Sequence, residues 1–151
     1  MEPLKQNRGG RYLTFQLSGQ YFAVPAERVI EIMPAKSLVQ APAAAGPVPD
    51  GVALLGVLHT QGRRLPVLDV HTRLGIAPSG REPESYVVIR MIKDGDGAPF
   101  DFGFAVDHLT DLINVRTHEI RRDVLYGHGR PKTILDFDAL FPNGKRPGCL
   151  S

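Results

Sequence analysis

The sequence predicts an all-β protein made of two related barrels, and three observations carry that expectation. Sixteen Gly and 13 Pro break the 151 residues into short apolar runs, the pattern of brief strands separated by turns. Several runs alternate apolar and polar residues, and long amphipathic helices are hard to place. The chain also repeats itself, since Phe22-Ala23-Val24 recurs as Phe104-Ala105-Val106 and Leu68-Asp69 recurs as Leu135-Asp136, which suggests duplication. A single larger sandwich is the alternative architecture.

Taken in order, Leu13, Phe15 and Leu17 alternate with Thr14 and Gln16, as in a half-buried strand. It ends at the turn residues Ser18-Gly19-Gln20, and Tyr21 to Val24 returns as its hairpin partner. A third strand runs from Val29 to Met33 between Pro25 and Pro34, with Glu31 among apolar residues. The Pro- and Ala-rich stretch Ala41 to Pro49 cannot pair as a central strand and reads as a surface loop. Gly51 to Thr60 and Arg64 to Asp69 form a hairpin turning near Gln61-Gly62, where glycine supplies a positive φ. Asp69 caps a short helical turn with Val70 and Leu74 on one face, and Gly75 ends it in the left-handed region.

A second cycle begins at Tyr86 to Ile92, turns through Asp94-Gly95-Asp96-Gly97 and returns as Phe102 to Val106. Leu112 to Val115, Val124 to Tyr126 and Thr133 to Leu135 follow as strands around Gly127-His128-Gly129. Asp136 then repeats the role of Asp69, ahead of a turn with Phe137, Leu140 and Phe141 on one face, stopped by Pro142. The organisation expected is a flexible tail over 1–11, one domain over 12–141 whose barrels divide near residue 85/86, and a polar tail over 142–151.

Composition removes several function classes. Lys plus Arg is 18 and Asp plus Glu is 16, a formal charge of +2 that is too small for a dedicated nucleic-acid binder. The longest apolar runs fall far short of the ~20 residues of a membrane span, and the polar start has no secretory apolar segment. Cys149 has no second cysteine to pair with, which fits a cytosolic location.

The segments Phe15-x-Leu17, Tyr21-Phe22-Ala23-Val24-Pro25, Val29-x-Glu31-Ile32, Gly56-Val57-Leu58, Leu65-Pro66-Val67-Leu68-Asp69 and Leu74-Gly75 resemble the pattern of the CheW family of chemotaxis adaptors. Phe102-Gly103-Phe104-Ala105-Val106-Asp107 and Ile134-Leu135-Asp136 with Leu140 extend the resemblance over about residues 12 to 141. It implies two five-stranded SH3-like barrels with a groove between them, and a non-enzymatic scaffold in a bacterial two-component chemosensory array. The implied partners are the regulatory domain of a CheA-type histidine kinase and the cytoplasmic tip of a chemoreceptor, at the inner membrane but without direct insertion. By the same resemblance Val29, Glu31 and Gln61 fall on receptor-facing positions. Gly56, Val57, Leu58, His59, Thr60 and Gly62 fall on a partner-binding loop.

One departure stands out. Where that family usually has Asn-Leu-Arg, this chain has His59-Thr60-Gln61, so Glu31 lacks the guanidinium expected to face it, and a neutral amide cannot reproduce a bidentate charged pair. With the enlarged Ala41 to Pro49 stretch and a shortened connection between Ile120 and Ile134, this points to a divergent adaptor, such as one serving twitching or surface sensing.

Other chemistries find less support. His59, His71, His108, His118 and His128 share no ligand spacing, so no metal or cofactor is expected. Asp94 and Asp96 lack the later ligands of a calcium loop. Gly127 to Thr133 misses the phosphate-loop spacing, and Pro131 removes a donor. Arg63 and Arg64 read as charges on a solvated hairpin tip, Val29 and Leu58 read as packed core ahead of direct contacts, and Glu31 reads equally as a charge that protects an edge strand. Two rival functions remain. One is a β-barrel nucleic-acid- or ribosome-associated protein using Arg8, Arg11, Arg63, Arg64, Arg121, Arg122, Lys145 and Arg146. The other is a small-molecule regulator using the cleft between barrels.

Overall fold

The computed structural model describes residues 9–39, 53–91 and 100–141. The expected loop at Ala41 to Pro49, the turn at Asp94 to Gly97 and Cys149 lie outside them. Twelve strands and two short helices occupy the described residues. They are β1 Gly10–Leu17, β2 Gln20–Pro25, β3 Val29–Pro34, β4 Leu38–Val39, β5 Leu54–Thr60, β6 Arg63–Leu68, α1 Val70–Leu74, β7 Ser85–Met91, β8 Phe100–Val106, β9 His108–Val115, β10 Ile120–Arg121, β11 Val124–Leu125, β12 Lys132–Ile134 and α2 Phe137–Leu140.

The strands form two curled sheets of the same design. One runs β10-β11-β12-β2-β1-β9 and the other β4-β5-β6-β8-β7-β3. In each, the second strand of an antiparallel hairpin (β1-β2 or β7-β8) pairs in parallel with a third strand (β12 or β6). Both of these third strands lead through Leu-Asp into a helix. Asp69 accepts the Thr72 amide at 3.1 Å, Asp136 accepts those of Asp138 and Ala139, and Gly75 closes α1 at φ 76°. The repeated Phe-Ala-Val segments therefore occupy equivalent strands, β2 and β8.

The sheets cut across the expected division at residue 85/86. Two sequence repeats exist, β1 to α1 and β7 to α2, but they exchange hairpins. The β7-β8 hairpin completes the sheet of β3 to β6, which we term the central barrel, while β1-β2 joins β9 to β12 in the terminal barrel. Each parallel pairing needs a long crossover: β2 reaches β12 by way of the central barrel, and β6 reaches β8 by way of α1 and β7. Each sheet reaches six strands by including two-residue segments, β4 in one and β10 and β11 in the other.

Three apolar clusters follow from this weave. Tyr12, Ala23, Val115, Leu125 and Ile134 fill the terminal barrel, and Leu58, Leu65, Val67, Tyr86 and Val88 fill the central one. The largest cluster lies between the sheets, where Leu13, Phe15, Leu17 and Phe22 meet Val87, Ile89, Phe102 and Phe104, closed by Phe137 and Phe141 of the α2 end. Phe102 meets the rings of Phe137 and Phe141 edge-on at 5.3 and 5.6 Å, a favoured aromatic geometry.

Strand β1 is therefore buried on both faces, not half-buried as the alternation suggested. Thr14 is 1% exposed, and its hydroxyl meets that of Thr110 and donates to the Asp111 carbonyl. Lys132 occupies the place in the terminal barrel that Leu65 holds in the central one. Its ammonium is satisfied by the carbonyls of His128 and Arg130, and burial holds its pKa below the ordinary lysine value.

The aromatic packing occupies the space between the two sheets, and the two ends of the interface differ. At the β8-β9 junction Asp107 accepts the Ser18 amide and the Ser79 hydroxyl and lies 3.3 Å from His71 Nε2. At the equivalent β2-β3 junction Pro25 stands in place of Asp107. There a small pocket of about 20 Å³ opens, lined by Val24, Pro25, Arg28, Ile89, Leu135, Asp136 and Phe137. We term this junction the open seam.

Candidate functional site

Among the described residues strand β3 is an edge strand, paired with β7 alone. Its register with β7 slips at Ile30, so that Val29 stands opposite Ile89 while Glu31 stands opposite Val88. Directly opposed residues on paired strands share a face. Ile89 belongs to the cluster between the sheets and Val88 to the interior of the central barrel. The bulge therefore turns Val29 toward the open seam and Glu31 toward the barrel mouth. The two residues expected to face one receptor groove are on opposite sides of β3.

On the seam side, Val29 packs against the intersheet cluster as a partly buried residue. Ile32, opposite Val87 on the same face, is 44% exposed and Ile30 is 40% exposed. Both lie on β3 just after Arg28, which lines the seam pocket. Sequence reasoning passed over Ile30 and Ile32, because one exposed apolar residue is unremarkable; only the bulge and the unpaired edge group them.

On the mouth side, the β5-β6 hairpin supplies the neighbours of Glu31. Thr60 Oγ1 donates to Glu31 Oε1 at 2.5 Å, so a hydroxyl takes the place of the missing guanidinium. Gln61 and Gly62 form the tight turn with φ of 52° and 75°, the two positive values that a two-residue hairpin loop requires. Gln61 and His59 are exposed.

The segment from Gly56 to Gly62 is mostly strand, not a loop. Gly56, Val57 and Leu58 are buried. Leu58 belongs to the central barrel core, and a Cβ on Gly56 would meet Leu38 Cδ1 at 2.6 Å and the Val39 carbonyl at 2.9 Å. These three hold the barrel together, leaving His59, Thr60, Gln61 and Gly62 as its accessible tip.

The arginine pair also departs from expectation. Arg64 is an exposed tip residue opposite His59, but Arg63 turns to the mouth and bonds Asp101 Oδ2 at 2.8 Å. Arg90 completes the cluster, with Nε on Oδ1 at 2.8 Å and Nη2 on Oδ2 at 2.9 Å. Asp101 is 6% exposed, and the hydrogen bonds from Arg90 hold its carboxyl below the usual carboxylate range.

The rival readings lose support. Among the arginines offered for nucleic acid, Arg63 meets Asp101 inside the barrel mouth and Arg121 lies over the Tyr126 ring, so the charges do not form one continuous stripe, while Arg8, Lys145 and Arg146 lie outside the described residues. The seam pocket has room for about one water, far below the ~300 Å³ of a small-molecule site. Among the described residues no group of His, Cys, Asp and Glu could hold a metal ion, and no helix is long and apolar enough to cross a membrane.

Comparison with known proteins agrees with this architecture. The chain is 26% identical over 157 residues to the chemotaxis protein CheW of Rhizobium meliloti, covering 93% of this chain and 92% of that protein. It is 29% identical over 153 residues to a probable chemotaxis protein CheW of Rhizobium etli, covering 95% and 85%. The crystal structure of the scaffolding protein TtCheW from Thermoanaerobacter tengcongensis superposes with a TM-score of 0.68 at 17% identity, over 93% of this chain and 98% of that one. The fold is thus two SH3-like β-barrels. The model of the CheW-like domain matches residues 11–142, and with that match the chain belongs to the CheW-like domain family, whose proteins are non-catalytic scaffolds.

Proposed function

We propose that this protein couples a chemoreceptor to a CheA-type histidine kinase by holding one partner on each side of strand β3. The observation that carries the reading is the bulge at Ile30, which gives one strand two outward surfaces of different chemistry. Coupling requires two distinct sites, and a shared rigid strand fixes their spacing.

The receptor's cytoplasmic tip docks at the open seam against Val29, Ile30 and Ile32. The kinase regulatory domain docks at the hairpin tip of His59, Thr60, Gln61 and Gly62. Glu31 and Gln61 thus belong with the kinase side, although sequence resemblance assigned them to the receptor. The names of the two rhizobial relatives, both chemotaxis proteins, support the setting. The protein works at the cytoplasmic face of inner-membrane receptor arrays, where many small interfaces acting together gain strength. We read His59-Thr60-Gln61 as a partner-specific feature of a variant array.

Co-sedimentation with receptor-containing membranes and purified kinase tests this function. The wild-type protein is expected to pellet with the membranes and carry kinase with it. A protein that stays in the supernatant with both partners present contradicts the proposal.

A further inference from the structure

We infer that Arg63 and Arg90 form a carboxylate-binding subsite at the mouth of the central barrel, holding an acidic side chain of the docked protein partner. The identity of that partner rests on the function proposed above; the chemistry of the subsite does not.

Asp101 has a side chain only 2% exposed and engages two guanidiniums at once. Arg90 grips it with two bonds and Arg63 with one, and both Nη2 atoms converge on the same oxygen. One carboxylate neutralises one guanidinium, so the cluster carries a net positive charge. The arginine side chains are 47% and 42% exposed. Nε and Nη1 of Arg63 and Nη1 of Arg90 make no hydrogen bond among the described residues and remain as donors at the rim.

Among the described residues, Glu31 on the same side of β3 is engaged, since it accepts from Thr60. Exposed Arg64, paired with His59 on the same hairpin, adds a further positive charge. Asp101 has already fixed the arginine rotamers, so less side-chain freedom is lost when an anion binds. A planar fork of N–H donors matches a carboxylate geometrically as well as electrically. The occupant is a protein side chain because the donors border the hairpin tip where a protein docks.

The test follows the Arg63 and Arg90 Nε–Hε resonances of the full chain during titration with a blocked hexaglutamate peptide and, separately, with inorganic phosphate. Saturable shifts at both arginines with the peptide are expected. Arg63→Gln, which leaves both Arg90 bonds to Asp101 intact, should weaken peptide binding about tenfold. Arg63→Lys, which keeps the charge and pairing but not the fork, should fall between.

No shift with the peptide at millimolar concentration overturns the subsite, as does a response to phosphate alone. In parallel, Arg63→Gln should weaken binding of the kinase regulatory domain about tenfold at low salt and flatten its salt dependence. If the kinase domain fails to bind wild type while the peptide shifts persist, the functional reading falls and the subsite stands.

Discussion

Val29 and Glu31 are two residues apart on one strand yet face opposite sides of it, because the pairing of β3 with β7 slips by one residue at Ile30. A regular strand would put both on the same face. This relationship divides the edge of the central barrel into an apolar seam and a polar mouth, and most of the predictions below probe one side or the other.

Ile32 is an exposed apolar residue on the seam face. Ile32→Glu should change stability by no more than about 0.5 kcal/mol and abolish pull-down by the receptor tip. Retained receptor binding in a folded variant would remove the seam from the receptor site.

Gly56 and Leu58 are expected to fail through the fold. Gly56→Ala forces a Cβ against Leu38 and the Val39 carbonyl, costing about 1–3 kcal/mol by overpacking, and Leu58→Ala should cost about 2–5 kcal/mol as a core truncation. Urea unfolding reads both. Lost partner binding at unchanged stability would make either residue a direct contact.

Asp101→Asn should destabilise by about 1.5–3 kcal/mol, the range for hydrogen bonds to charged groups. The folded carboxyl releases its proton more readily than the unfolded one. Unfolding therefore takes up a proton below about pH 4, and stability present above that value is lost as pH falls through the lowered folded pKa. Acid unfolding curves should show this loss in the wild type and lack it in Asp101→Asn.

Lys132 reverses the usual behaviour of a lysine. Burial lowers its pKa, so the folded state binds fewer protons just below the ordinary value of 10.5. Stability should rise as pH climbs through that window and be complete above it. Measured against Lys132→Met, the wild type should gain stability as pH rises toward 10.5; parallel curves would show that the amine titrates as in the unfolded chain.

Much of the fold was legible because its signals are local. Alternation marked β1, turn residues marked the hairpins, and Asp69 and Gly75 marked both ends of α1. The hairpin exchange was not, since it depends on pairings such as Val67 with Gly103 that no short window contains. Thr14 read as a solvent-facing polar residue because its partner, Thr110, is supplied by a distant strand. Arg63 looked like a tip charge for the same reason, as Asp101 lies 38 residues away. Family resemblance brought the site's segments to attention but could not register the bulge, so the faces of Val29 and Glu31 were known only from pairing.

The central claim, that two partners occupy opposite faces of β3 at once, is tested most directly by sedimentation velocity on a mixture of this protein, the kinase regulatory domain and a soluble receptor-tip fragment. A ternary complex is expected, reduced to the kinase pair by Ile32→Glu and shifted toward the receptor pair by Arg63→Gln at low salt. Displacement of one partner by the other in the wild-type protein would contradict the account.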